Sequence, residues 1–235
     1  MKLIYEGKSK KIFETSNPDE YLMVFKNDLT AFNAQKKGSF ENKGLISQNI
    51  AEIIYEHLSE KGFAHHWLRR VSEGILVQKL KMIPLEVVVR NYASGSLVKR
   101  LGWREGERLS RPILEFYLKN DELGDPFINE DHILSLGILK EAEILSLRNK
   151  ALELNEILVQ LFKSAQLLFV DFKCEFGWTP QGDLILGDDI SPDCFRAWDH
   201  QSREKFDKDL FRFDLGDPGR GYREIESRLV AALKN

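Results

Sequence analysis

Two cysteines, Cys174 and Cys194, are all that 235 residues contain. Their spacing fits neither a disulfide framework nor a metal knot, so a reducing cytoplasm is the expected setting. No apolar run reaches the roughly 20 residues a bilayer-spanning helix needs. The opening stretch, MKLIYEGKSKKIFE, lacks the continuous apolar core and small-residue cleavage site of a secretory signal. An excess of one charge is missing too: 34 Lys and Arg against 37 Asp and Glu leave a net −3. Without a basic stripe, neither nucleic acid nor a membrane is expected as a partner. Repeats, low-complexity tracts and a clear linker are also absent.

What is there suffices for one large domain, or one domain of two lobes, with a substantial core. The first third reads as β, with strands over Lys2–Glu6, Lys10–Glu14 and Tyr21–Lys26. Ile46, Ile50, Ile53, Ile54 and Leu58 share one helical face, closed by Gly62. Strands follow at Gly74–Leu80 and Leu85–Arg90, then a short helix, Ser96–Leu101. Residues Glu105 to Asn129 read as loop. A long helix is expected from Glu141 to about Leu167, then strands at Phe169–Phe176 and Leu184–Leu186, and a last helix at Tyr222–Leu233. Strands and helices come in blocks rather than in regular alternation, which favours an α+β fold.

Three constellations could carry chemistry. In VDFKCEFG, Val170 to Gly177, strand alternation puts Asp171, Lys173 and Glu175 on one face and Val170, Phe172, Cys174 and Phe176 on the other. A half-exposed strand with a solvated face has the same pattern. If Gly177 pairs with Leu184 on the return strand, Asp188 lies opposite Lys173. Asp171, Glu175 and Asp188 then surround one lysine, an over-negative site suited to Mg²⁺ bound with a nucleotide phosphate. Gly187 would let a ligand approach the backbone. GKSKK, Gly7 to Lys11, is a glycine turn that could cover phosphates or simply be a basic turn. In VVVRNYASGS, Arg90 shares a face with Glu86. Ser96 can N-cap the next helix, a place that favours anions, though Arg90 could equally be paired to an acid. His65-His66 reads as a surface pair, and Cys174 as packing.

With GKSKKIF at the start, IPLEVVVRNYASGS, FYLKND at Phe116–Asp121, VDFKCEFG and GDDISPD, the chain resembles the phosphoribosylaminoimidazole-succinocarboxamide synthase (SAICAR synthetase) family from about Leu3 to the last helix. Asn33, in TAFN, departs from a common aspartate, and Asp189 from a common glutamate. The resemblance implies an α+β fold with a smaller N-terminal antiparallel-sheet lobe (1–80), a larger α+β lobe (81–235), and an ATP cleft between them. It implies ligation of L-aspartate to the carboxylate of CAIR, giving SAICAR, ADP and phosphate. A kinase-type phosphotransferase acting on a small phosphorylated substrate, or a nucleotide-binding regulatory module, are the alternatives. By the resemblance, Lys8, Lys10, Lys79, Lys81, Met82 and Lys119 border ATP, and Glu175 and Asp188 hold Mg²⁺. Arg90, Gly95, Ser96, Arg196 and Arg212 hold the ribotide, and Asp171 and Lys173 act at its reacting end. The expected ligands are thus ATP, Mg²⁺, CAIR and L-aspartate, with a homodimer or other homo-oligomer possible.

Overall fold

The computed structural model describes residues 1–31 and 36–234; Asn33 lies outside them. The polypeptide opens with strands β1 (Leu3–Glu6), β2 (Lys10–Glu14), β3 (Glu20–Phe25), β4 (Asp28–Ala31) and β5 (Lys36–Ser39). Helix α1 (Lys43–Glu60) and strands β6 (Trp67–Val71) and β7 (Gly74–Gln78) complete the first part. Next come β8 (Lys81–Met82), β9 (Leu85–Tyr92), α2 (Ser96–Leu101), β10 (Arg108–Leu118), β11 (Phe127–Ile128), α3 (Glu130–Ser135) and α4 (Glu141–Ser164). The last elements are β12 (Leu167–Trp178), β13 (Leu184–Gly187), β14 (Phe195–Asp199), α5 (Asp209–Arg212) and α6 (Pro218–Leu233).

Two antiparallel sheets organise these elements. The first runs β1-β2-β3-β7-β6, so every strand in it comes from before residue 80. The second runs β11-β10-β9-β12-β13, and β8 and β14 also pair with β12. Strand β12 is therefore the centre, with β9 and β8 along one edge and β14 and β13 along the other. Helix α4 lies across β9, β10 and β12, while α1 packs on β3 and α6. The α4 face that meets the sheet carries Leu147, Ala151, Leu154, Leu158, Leu161 and Phe162, all buried at steps of three and four.

Four expectations need correction. Residues Glu105 to Asn129 are not loop-rich: they contain β10, eleven residues long, which pairs with β9. Pro112 and an irregular register between Arg108 and Ile113 disrupt its alternation, and only Glu115 and Phe116 are buried, so the sequence gives no clean strand signal. His65-His66 is not a surface pair. His65 bridges to Leu186, and the amide of His66 donates to the Leu186 carbonyl at 2.9 Å, joining the two sheets. The β12–β13 register is one residue away from the assumed one, since Gly177 faces Ile185 and Glu175 faces Gly187. Lastly, the bare sides of Gly177 and Gly187 meet Met82 rather than a ligand: added Cβ atoms would sit 3.1 and 2.8 Å from its Sδ.

Helix α6 is held equally closely. Its Gly221 faces the Phe206 carbonyl, and an added Cβ would lie 2.3 Å from that oxygen. Gly221→Ala should therefore cost about 1–3 kcal/mol as an overpacked contact. Thermal unfolding should show the midpoint lowered by about 2–4 °C per kcal/mol in a chain of this size. An unchanged midpoint would mean that the Phe206 segment yields freely.

Candidate active site

The charged face of β12 is not solvated. Asp171 and Glu175 are 3% and 2% exposed, so both sides of the strand are inside the protein. A buried carboxylate is tolerated only with a cation and hydrogen bonds beside it. Glu175 has two: Lys119 at 2.6 Å and Lys173 at 3.1 Å. Burial pushes its carboxyl up, and these two ammonium groups more than offset that, leaving it below the usual range. Lys173 also donates to Glu86 at 2.8 Å. Burial alone would make it lose its proton more easily, but Glu175 and Glu86 hold it firmly charged.

Asp188 reaches the same place by an unexpected route. With Glu175 opposite Gly187, a continued ladder would turn Asp188 toward Cys174 and the apolar side. Instead the chain breaks there, with Asp188 at a φ of +64°. Its carboxylate lines the cleft and, with Asp189, receives Lys10 from β2. Beyond it, Asp193 binds Lys43 and, at 3.0 Å, Lys208. Burial raises the Asp193 carboxyl, and the two lysines pull it far below its ordinary value.

The cleft that these groups floor has a volume of about 780 Å³. Its other wall is apolar, with Ile12, Met23 and Val77 from the first sheet and Leu80 and Met82 from the segment that joins β7 to β8 and β8 itself. Lys8 and Lys10 enter from the β1–β2 turn and Lys119 from the end of β10. Lys79 and Lys81 are exposed and do not line the cleft; the Lys79 ammonium lies over the Tyr21 ring, 5.3 Å from its centroid. Strand alternation explains this, because Leu80 and Met82 take the inward positions.

Asp171 does not join Glu175 and Asp188, correcting the expected three-carboxylate cluster. Among the described residues, no group of three or more His, Cys, Asp or Glu side chains is arranged to hold a metal ion. Asp171 is clamped by two arginines, Arg90 at 3.0 Å and Arg196 at 2.9 Å. These belong to a continuous ladder. Glu115 bonds Arg90 at 2.8 Å, and Arg196 bonds Asp209 at 2.9 Å, which receives Arg212 at 2.7 Å. Arg90 is thus paired to acids, and it also donates to the Ser96 hydroxyl at 2.9 Å. Ser96 is not the N-cap. Gly95 takes that position at a φ of +58°, and an added Cβ would lie 2.7 Å from the Arg196 guanidinium.

The sequence pattern missed Glu115, Tyr117 and Arg100, which close the ladder at its β10 end. It also missed Lys43, Asp193, Lys208 and His66 at the cleft. His66 is 4% exposed, and burial followed by the charge on Lys10 lowers its pKa to about 3. Lys43 and Lys208 carry no local signal; Glu115 could have been found only by reading β10 as a strand.

Comparison with known proteins accords with this geometry. The model of the SAICAR synthetase family matches residues 3–229. The phosphoribosylaminoimidazole-succinocarboxamide synthase of Bacillus cereus is 46% identical over 230 residues, covering 97% of this chain and 96% of its own. The crystal structure of the enzyme of that name from Ehrlichia chaffeensis superposes with a TM-score of 0.95 at 41% identity, covering 98% of this chain and 99% of its own. A SAICAR synthetase in complex with ADP gives 0.94 at 44% identity, covering 98% of each.

The cleft also holds a thiol. Cys194 lines it beside Asp189, and burial followed by that carboxylate pushes its pKa up to about 11. The thiolate is the nucleophile, so alkylation of Cys194 should be slow at pH 8 and rise about tenfold per pH unit toward 11. Cys174, buried on the apolar face, should stay unreacted in the folded protein. Peptide mass spectrometry after iodoacetamide treatment reads both, and a fast Cys194 at pH 7 would contradict the assignment.

Proposed function

The chain belongs to the SAICAR synthetase family, an ATP-dependent ligase that joins L-aspartate to CAIR in purine biosynthesis, and from that premise we propose how its cleft divides the substrates. The observation that carries the proposal is one strand face. Asp171, Lys173 and Glu175 follow one another along β12, from the arginine ladder to the nucleotide-sized cleft. The distance from the first to the third is about 13 Å at 3.3 Å per residue. A ribotide lying along this face would have its phosphate at one end and its reacting carboxylate near Lys173.

ATP takes the cleft. Residues 1–80 form the lobe that covers it, and residues 81–235 supply the floor. The base sits against Ile12, Met23, Val77, Leu80 and Met82. The Ile83 amide donates to the Phe176 carbonyl at 2.9 Å, so alternation along the ladder turns the backbone groups of Met82 away from β12, toward the base. The phosphates point to the Gly7–Lys10 turn and Lys119. Glu175 and Asp188 suit Mg²⁺. Glu86, Glu175, Asp188 and Asp189 gather with Lys10, Lys119 and Lys173 at this floor, and carboxylate oxygens are hard donors. The ion would neutralise charge on the transferring phosphoryl group. Ser96, Arg196 and Arg212, with Arg90 and Gly95, hold the ribotide phosphate. Asp171 acts by fixing the two arginines.

Amide formation from a carboxylate needs activation, because oxide is a poor leaving group. The γ-phosphoryl group passes to the CAIR carboxylate, giving an acyl phosphate; the amine of aspartate attacks its carbonyl carbon, and phosphate leaves. Glu175 and Glu86 hold Lys173 as an ammonium, so its part is to hold and neutralise the carboxylate, and the leaving phosphate carries away the proton that the amine gives up. The other residues act by positioning. We further propose a cytoplasmic enzyme, since phosphorylated substrates do not cross membranes unaided. A phosphotransferase without ligation has no specific observation in its favour.

Two measurements test this. Oxygen-18 in the CAIR carboxylate should appear in the released phosphate, one atom per turnover; its absence would rule out the acyl phosphate. Ser96→Ala should raise the KM for CAIR about ten- to hundredfold, as for loss of one hydrogen bond to a charged group. The KM for ATP should stay unchanged, and an equal rise in both would remove Ser96 from the ribotide site.

A further inference from the structure

Asp188 faces the cleft only because its backbone leaves the strand in the left-handed region, a conformation that non-glycine residues adopt uncommonly and at a cost. Something must hold it there. Its own carbonyl oxygen accepts a hydrogen bond from the Tyr55 hydroxyl at 2.6 Å. Tyr55 comes from the middle of α1 and is completely buried. Its ring lies nearly parallel to Trp67, at an interplanar angle of 10° with centroids 6.1 Å apart. A carbonyl can only accept, so the proton points to Asp188. The His66 Nε2 atom, 3.0 Å from the same hydroxyl, must then be the donor to it. The chain of bonds runs His66 Nε2–H to Tyr55 O–H to Asp188 C=O, and each member is fixed by the next.

We propose that Tyr55, oriented by His66, is a positioning residue that holds the Asp188 turn so that its carboxylate faces the nucleotide's divalent cation. Tyr55 touches no substrate in this role; it acts through the backbone of Asp188. The inference rests on the assignment of Asp188 to the cation, which the test separates from it.

The readout is ADP affinity by calorimetry, with and without Mg²⁺, so that turnover is not needed. In Tyr55→Phe the affinity for Mg-ADP should fall about three- to tenfold, the range for one hydrogen bond. Affinities for metal-free ADP and for CAIR should stay within twofold. Unchanged Mg-ADP affinity, or equal losses for all three ligands, overturns the role. If Tyr55→Phe does not fold, His66 variants serve instead. His66→Leu should lose the metal-dependent gain, and His66→Gln, whose amide can still donate, should restore most of it; identical behaviour of the two overturns the role. Asp188→Asn separates the premises. A full metal-dependent gain in that variant overturns the assignment of Asp188 itself, whereas its loss there with a full gain in Tyr55→Phe overturns only the positioning.

Discussion

Burial of the charged face of β12 is the constraint on which the rest of the molecule depends. A carboxylate taken out of water costs several kcal/mol unless a cation meets it with good geometry. Asp171 meets Arg90 of β9 and Arg196 of β14, and those arginines meet Glu115 of β10 and Asp209 of α5. Each pair joins two different elements, so the ladder fixes how they sit as well as neutralising them. Removal of one member would leave its neighbours buried with one partner fewer and the local charge unbalanced.

The same electrostatics prepares the cleft. Lys10, Lys119 and Lys173 are already gathered where phosphates and a carboxylate would arrive, and the acids Glu175, Asp188 and Asp189 hold them there. A preorganised charged site needs little rearrangement when substrate charge appears. The apolar wall answers the other requirement, a dry surface for a flat base. Met82 packs on the bare sides of Gly177 and Gly187, which ties the segment bordering that wall to the strand pair carrying Glu175 and leading into Asp188. The apolar wall and the charged floor are thus joined through glycine contacts.

In the proposed reading, one strand serves both substrates of the ligase. Side chains two apart on a strand share a face, so Asp171, Lys173 and Glu175 project side by side, about 6–7 Å between neighbours. That spacing links the ribotide end and the nucleotide end without a hinge between them. In the family's reaction the phosphoryl group moves from one substrate to the other, and Lys173 stands between the two ends, bonded to Glu86 and Glu175.

The sequence by itself determined the α+β class, the long helix α4, the β12–β13 hairpin and the division of β12 into apolar and charged faces. These follow from local periodicity and turn chemistry, which residue order carries in full. The family's motifs, long and in order, carried the activity. The partner of each charge was decided only by the tertiary structure. Alternation says which face Asp171 occupies, not that Arg90 and Arg196 wait on neighbouring strands, and so the expected acid cluster dissolved into a ladder. A register shift of one residue reverses the face of a side chain, and the left-handed turn at Asp188 reverses it back; neither is written in a local pattern. His66 and Tyr55 look like ordinary polar residues along the chain. Their burial, and the bond that reaches Asp188 across 133 positions, exist only once α1 has packed against the end of β13, because hydrogen bonds and desolvation depend on distances in space rather than along the chain.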